Sequence, residues 1–258
     1  MSDRLPVSVL LLARDETQHL AALLPTLSFA REVVVVWDPR GDMRTREVAE
    51  QHGAKVFSRE FSGFGPQRQF ALDQCTQPWV LWIDADERLG QDAATRLAQF
   101  IAPGMEHSAI ALHRVTYFLG EPIRHCGWQG ETLVRVFRRE GAKFDESPVH
   151  ERLGTPARTL VTSDVVLTHL SYETWDQCVD KPRTYARLGA AKAFAAGKRA
   201  GLFDVVWRPP LRFVRMYLLQ WGVLDGARGW LVCSLGAWQV FLKYAELWDR
   251  TRRERLGR

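Results

Sequence analysis

An apolar run, Trp79-Val80-Leu81-Trp82-Ile83, breaks off into Asp84-Ala85-Asp86-Glu87, three carboxylates within four residues. Uninterrupted β-type residues fit a strand buried on both faces, as in a parallel sheet. Such sheets bind their ligands beyond the carboxyl ends of the strands. Asp84 and Asp86 lie two apart, so both reach one point just past the strand. Two hard oxygen ligands there suit Mg2+ or Mn2+, which commonly bridges to phosphates. Asp is equally at home in a solvated turn after a strand, so D-x-D alone does not decide between the two readings.

The surrounding pattern favours the parallel sheet. Segments 7–13, 32–37 (with four consecutive valines) and 55–57 read as strands. Segments 16–24, 45–52, 66–75 and 91–101 read as helices, with Pro25 and Gly53 as stops and Pro66 in a first turn. Strands separated by helices predict βαβ units with right-handed crossovers. Further on, 109–118, 132–138 and 164–170 read as strands. Gly120, Pro122, Gly127 and Gly130 mark loops, and 139–160 is turn-rich. From about Asp176 the chain reads as helical.

Charge divides the chain. Residues 1–180 carry 19 Lys and Arg against 25 Asp and Glu, whereas residues 181–258 carry 16 against 5. The basic part contains two apolar-rich segments, 211–224 and 229–248, separated by Asp225-Gly226 and interrupted by Arg212, Arg215, Gln220, Gln239 and Lys243. Neither has the ~20 uninterrupted apolar residues of a spanning helix. Trp, Phe and Leu beside Arg and Lys suit a helix lying in a membrane interface. A helical hairpin buried against the α/β domain or a second subunit is the alternative. No motif for binding nucleic acid accompanies the basic residues. The four cysteines are scattered without a C-x-x-C pair, and the first residues lack signal-peptide regions. Both features predict a reduced, cytosolic setting.

The ordered motifs resemble those of inverting family-2 glycosyltransferases of the GT-A fold, most closely the branch that glucosylates the lipopolysaccharide inner core. The resemblance is carried by residues 8–16, the strand ending in Asp38, Thr45 to Ala49, Gly53 to Val56 and Gly63 to Leu72. It continues through Trp79 to Glu87, Gly127-Trp128, Arg135 to Arg138, Val149-His150-Glu151, His169 to Tyr172 and Leu224-Asp225-Gly226. Three features depart from the family. Asp15-Glu16 stands for the family's Asn-Glu, Pro39-Arg40-Gly41-Asp42 replaces a small polar loop, and Gln69 replaces an Asn. In that loop the family's second Asp aligns with Met43, or with Asp42 after a slip of one.

The resemblance implies an α/β fold: a GT-A Rossmann-like nucleotide-binding domain with a mixed central sheet, plus a C-terminal amphipathic helical extension. The expected boundaries are a catalytic domain at 1–175 (donor half 1–105, acceptor half 106–175) and a basic, membrane-associated extension at 176–258. It implies transfer of a hexose from a nucleotide sugar, a UDP-sugar above all, to a lipopolysaccharide-core or other lipid-linked acceptor. Transfer would proceed with inversion, on the cytoplasmic face of the membrane. The alternatives are another acceptor (protein, polyprenyl phosphate, capsule intermediate) or a non-catalytic GT-A-like binding protein. Asp38, Glu16, Arg68 and Asp84 would bind the nucleotide sugar, and Asp86 would hold Mg2+ or Mn2+, with His169 either a further ligand or a histidine hydrogen-bonded in the core beside Ser171. Asp84 would contact ribose or a metal-bound water. Inversion needs one base for the acceptor hydroxyl, with Glu151 first, then Asp145 and Glu146. Each of these carboxylates is as readily an ordinary salt-bridge partner. Trp128, Arg135 and His150 would meet the acceptor, since Trp stacks on sugars and Arg binds anions in a fork.

Overall fold

The computed structural model describes residues 4–128, 130–145, 153–154 and 158–257. It consists of two compact units, residues 1–114 with 130–169, and residues 115–129 with 170–258.

The first unit opens with alternating strands and helices: β1 (Leu5–Ala13), α1 (Thr17–Leu23), β2 (Ala30–Trp37), α2 (Met43–Gln51), β3 (Lys55–Ser58), α3 (Phe64–Gln74) and β4 (Trp79–Trp82). There follow β5 (Glu87–Leu89), α4 (Ala93–Phe100), β6 (Ala109–Phe118), β7 (Glu121–Pro122), β8 (Glu131–Arg138), β9 (Lys143–Phe144), β10 (Leu153–Gly154) and β11 (Thr159–Tyr172). The unit boundaries fall within β6 and β11. The sheet order is β3-β2-β1-β4-β8-β6-β11-β5. The first four strands are parallel. The pairs β4 with β8, β8 with β6, and β11 with β5 are antiparallel. The sheet is therefore mixed, with its parallel half at the start of the chain.

Side-chain alternation explains why β1 is apolar throughout. Val7, Val9 and Leu11 pack with Leu20, Leu23 and Leu97 in one core. Leu10 packs with Val34, Val36, Val80 and Phe137 in another. A strand that feeds a core on each face has no exposed position for a polar residue. The one polar residue in this part of β1, Ser8, is fully buried and hydrogen-bonded to Glu32 of β2.

Glu32 is itself nearly buried. Lys55 Nζ donates to it at 2.8 Å, and Thr76 donates from its backbone N–H at 2.5 Å and its hydroxyl at 2.9 Å. Burial alone would raise this carboxyl, but Lys55, Ser8 and Thr76 outweigh it and lower the pKa to about 2. The folded value lies below the unfolded one, so the stabilisation is full above pH ~4.5 and disappears as pH falls towards 2. Glu32→Gln is expected to cost about 2 kcal/mol at neutral pH. It should also flatten the loss of stability between pH 4.5 and 2, as read by urea denaturation across that range.

The second unit is mainly helical: α5 (Trp175–Ala195), α6 (Leu202–Val214), a π-helical turn at Arg215–Leu219, a 3-10 turn at Gly222–Asp225 and α7 (Gly226–Arg255). Thr174 caps α5 by accepting from the Gln177 N–H. The Asp204 carboxylate accepts from the Gly201 N–H at the start of α6. Pro209 and Pro210 lie inside α6, where each removes a backbone donor. Met216, Val232, Cys233 and Cys178 form the core with Phe118, Ile123 and Cys126. Gly222 is required there, because a Cβ would come within 2.9 Å of both the Cys126 and the Cys233 sulfur. Asp225 ties the loop after β7 to this core by accepting from the His125 N–H at 2.8 Å. All four cysteines are free and buried. Among the described residues no helix is long and apolar enough to cross a membrane.

Candidate active site

Three neighbouring parallel strands, β2, β1 and β4, end side by side, and the polar residues of interest follow directly. Asp38 comes after β2, Arg14 to Glu16 after β1, and Asp84 to Glu87 after β4. The order changes direction between β1 and β4, which is where open α/β sheets place their ligands.

Beyond β1 and β2 lies a cavity of about 300 Å3 lined by Leu12, Ala13, Arg14, Glu16, Val36, Asp38, Phe61, Phe64 and Gln67. Its walls are largely apolar and Phe61 meets Phe64 edge to face. Asp38 supplies a carboxylate that is only 3% exposed. Arg40 donates to it from Nε at 2.9 Å and from Nη2 at 2.7 Å. That fork, ahead of the opposing effect of burial, lowers the Asp38 pKa to about 2. Glycine at 41 permits this loop, since a Cβ would lie 2.5 Å from the Arg14 carbonyl oxygen. Asp42 accepts from the Arg44 N–H and so caps α2. A larger cleft, about 740 Å3, sits among Arg4, Leu5, Phe29 and Thr95, where β1 and β2 begin. It has no carboxylate and lies at the wrong end of the strands.

The Asp-x-Asp-Glu turn separates its carboxylates chemically. Glu87 is fully buried, and its Oε2 accepts from the Asp84 N–H at 3.0 Å, closing the turn on itself. Arg135 of β8, 2% exposed, donates from Nη2 to Glu87 at 2.5 Å and to Asp84 at 2.9 Å. Arg114 of β6 lies 3.7 Å from Glu87. Arg68 of α3 donates to the other Asp84 oxygen at 3.1 Å, and the Trp82 indole N–H donates there at 3.3 Å. Both guanidiniums also lie over the Trp82 ring, 4.1 and 4.3 Å from its centroid. Burial pushes the Asp84 carboxyl up, but Arg135 and Arg68 outweigh it and hold it well below the usual range. At Glu87 burial prevails over Arg135 and holds the carboxyl above its ordinary value.

Asp86 is placed differently. Its Oδ2 lies 3.3 Å from His169 Nε2, and both side chains are partly exposed. The pairing of β5 with β11 sets this distance, because His169 stands opposite Glu87 in the register. An oxygen and a nitrogen at this separation fit adjacent positions around an ion with ligands at ~2.1 Å, which stand roughly 3 Å apart in an octahedron. No group of three or more His, Cys, Asp and Glu able to hold a metal occurs among the described residues. A metal here would draw its other ligands from phosphate and water.

Of the residues expected in the site, Asp38 and Glu16 line the cavity, and the buried Arg68 and Arg135 form one ionic cluster with the partly exposed Asp84. Asp86 meets His169. Asp145 is exposed after β9. Trp128 belongs to the second unit, where it stacks on Tyr172 with ring centroids 5.9 Å apart. Glu146, His150 and Glu151 lie outside the described residues. The sequence reading gave no role to Glu87 as the buried counter-ion, to Trp82 under the two arginines, or to Arg40 on Asp38. The cluster of three carboxylates after the apolar run was the available signal for Glu87.

A family model described as Glycosyl transferase family 2 matches residues 18–157, more than half of the chain. The chain belongs to that family. It is 27% identical, over 97% of its length and 94% of the relative's, to a lipopolysaccharide core biosynthesis glycosyltransferase, LpsC, of Rhizobium meliloti. An uncharacterized glycosyltransferase of Rickettsia typhi is 21% identical over 96% of this chain and 89% of the relative. Among solved structures, a mannosyltransferase of Pyrobaculum calidifontis, determined with GDP-mannose and Mn2+, superposes with a TM-score of 0.53. It is 17% identical over 96% of this chain and 89% of that one. At that identity the likeness establishes the fold alone, and the fold is GT-A. This protein is thus a family-2 glycosyltransferase.

Arg135→Ala would leave the Glu87 charge buried without its main partner. Stability is expected to fall by roughly 3–5 kcal/mol. The double variant Arg135→Met/Glu87→Leu removes both charges and should recover most of that loss in the same denaturation experiment.

Proposed function

We propose that the protein transfers a hexose from a nucleotide sugar to a lipid-linked acceptor of the lipopolysaccharide-core type, by a single inverting displacement. The observation that carries this reading is the placement of Asp38, in an apolar cavity, and of the Asp84–Glu87 turn beyond the ends of the parallel strands β2 and β4, which flank β1. The LpsC relative supports the acceptor class.

In this reading the base of a UDP-sugar enters the cavity that Phe61 and Phe64 help to line. Asp38 accepts from the base N–H or the ribose hydroxyls. Glu16 lies on the same rim. Asp84, fixed by Arg68 and Arg135, faces the ribose, and Asp86 with His169 holds Mg2+ or Mn2+. When bound, the metal offsets the charge that builds on the departing diphosphate. The acceptor hydroxyl attacks the anomeric carbon as the bond to the diphosphate oxygen breaks. The hydroxyl proton passes to a carboxylate of the turn-rich segment, with Glu151 assigned first and Asp145 second. Trp128 and His150 are assigned to the acceptor. Residues 1–175 form the catalytic part, and 176–258 the extension that holds the protein at the cytoplasmic face of the membrane.

Calorimetry with UDP and GDP, with and without Mn2+, tests the donor half of this account. Wild type should bind one nucleotide in a metal-dependent way. Asp86→Ala should weaken metal-dependent binding at least tenfold, ~1.4 kcal/mol, while unfolding like wild type. Folded wild-type protein that binds no nucleotide, or binds equally without metal and in Asp86→Ala, overturns the reading. For the acceptor half, Glu151→Gln is expected to lower the transfer rate by ~100-fold or more with nucleotide affinity unchanged. Nucleotide release measured with donor and acceptor together checks this.

A further inference from the structure

The second unit leaves a continuous apolar face exposed among the described residues. On α6 and the π-helical turn, Phe203, Trp207, Leu211, Val214 and Leu218 recur at intervals of three and four residues, so they share one side of the helix. All five are exposed, Phe203 at 72% and Leu211 at 63%. The other side is occupied. Phe213, Met216 and Tyr217 pack into the core with Val232 and Cys233 of α7, and Arg208 lies over Tyr244 of α7. The helix therefore already has a partner on one side, and the exposed row is not the half of a hairpin that α7 covers. The row continues into the following turn, where Trp221 is 61% exposed.

We infer that this face of α6 is the surface by which the protein docks on an anionic lipid leaflet, lying flat in the interface. Two observations select lipid over a second copy of the chain. The first is charge. Residues 181–258 carry 16 Lys and Arg against 5 Asp and Glu, and Arg215 stands exposed next to Val214 of the row. Paired on a two-fold axis, two such faces would bring like charges together, whereas phospholipid headgroups neutralise them. The second is shape and composition. A 13-residue helix, ~20 Å long, presents Trp, Phe and Leu outward with arginines at its flanks, as interfacial helices do. Nothing of it can span, since no helix among the described residues is long and apolar enough to cross. The inference rests on the second unit alone, so it stands or falls separately from the chemistry assigned to the first. It deepens the proposed function by naming the part that would bring the enzyme to a lipid-linked acceptor.

The test is flotation of the full chain with vesicles of phosphatidylcholine alone and of phosphatidylcholine with phosphatidylglycerol. Nucleotide binding and the unfolding midpoint are measured on the same samples. Wild type should float with the anionic vesicles, release in part at high salt, and show a blue shift of tryptophan emission when bound. Trp207→Glu/Leu211→Glu should lose vesicle binding at least tenfold while keeping the wild-type unfolding midpoint. Arg215→Gln should weaken binding to anionic vesicles and leave the weak binding to neutral ones unchanged. Wild type that stays free of both vesicles overturns the inference. So does a wild-type dimer, seen by light scattering, that the double variant converts to monomer, because the face would then belong to a second copy. Equal binding of the double variant and wild type overturns it as well.

Discussion

The ion pair of Glu87 with Arg135 is the contact on which the site depends. Glu87 is fully buried at the start of β5, so its charge has to be met by protein groups. Arg135 meets it from β8 and Arg114 approaches from β6, while the Asp84 N–H closes the turn on the second oxygen. The turn between β4 and β5 is therefore held by two other strands and by itself. The arrangement is polar, and its satisfaction is incomplete. Arg114 Nε and Arg135 Nε are buried without hydrogen-bond partners among the described residues. Such a cluster adds little net stability compared with an apolar equivalent. Its effect is to fix where Asp84 and Asp86 point.

From that anchor the carboxylates take unlike positions. Asp84 is committed to two arginines and an indole N–H, which hold it ionised and oriented. Asp86 turns instead towards β11, which delivers His169. A strand-end turn thus becomes a place with one rigid acceptor and one oxygen–nitrogen pair. On the next strands, β1 and β2, the same ends of the sheet carry the cavity with Asp38 at its floor. Arg40, from the loop that replaces the family's small polar one, forks onto that aspartate. A nucleotide base reaching Asp38 would meet the carboxylate already paired.

Much of this was legible in the residues. The valine run of β2, the apolar β1 and the punctuation by Pro25, Gly53 and Pro66 give the parallel half of the sheet, because burial on both faces leaves a plain signature. Asp38 and the Asp-x-Asp-Glu turn were readable for the same reason, as charges at the ends of such runs. What stayed hidden depends on partners distant in sequence. β5 is three residues long and includes Glu87 and Arg88, so only its pairing with β11 makes it a strand. Arg135 sits on a strand with Arg138, and alternation does not say which arginine turns inward. Here Arg135 is buried and Arg138 is exposed. The apolar segment at 211–224 was readable, but α6 begins earlier, at Leu202, and runs through Pro209 and Pro210. The sequence reading had apolar helices in the basic region, but not which face of α6 remains uncovered.

The central claim is that Asp86 and His169 hold a divalent ion against the diphosphate of a nucleotide whose base rests above Asp38. Crystals grown with Mn2+ and UDP, with anomalous data collected for manganese, test it directly. The account predicts one strong peak in contact with Asp86 Oδ2 and His169 Nε2, bridged to the diphosphate, with the uracil in the Phe61–Phe64 cavity. Manganese and nucleotide bound away from these residues, or a nucleotide in the cavity with its diphosphate turned from Asp86, would contradict it.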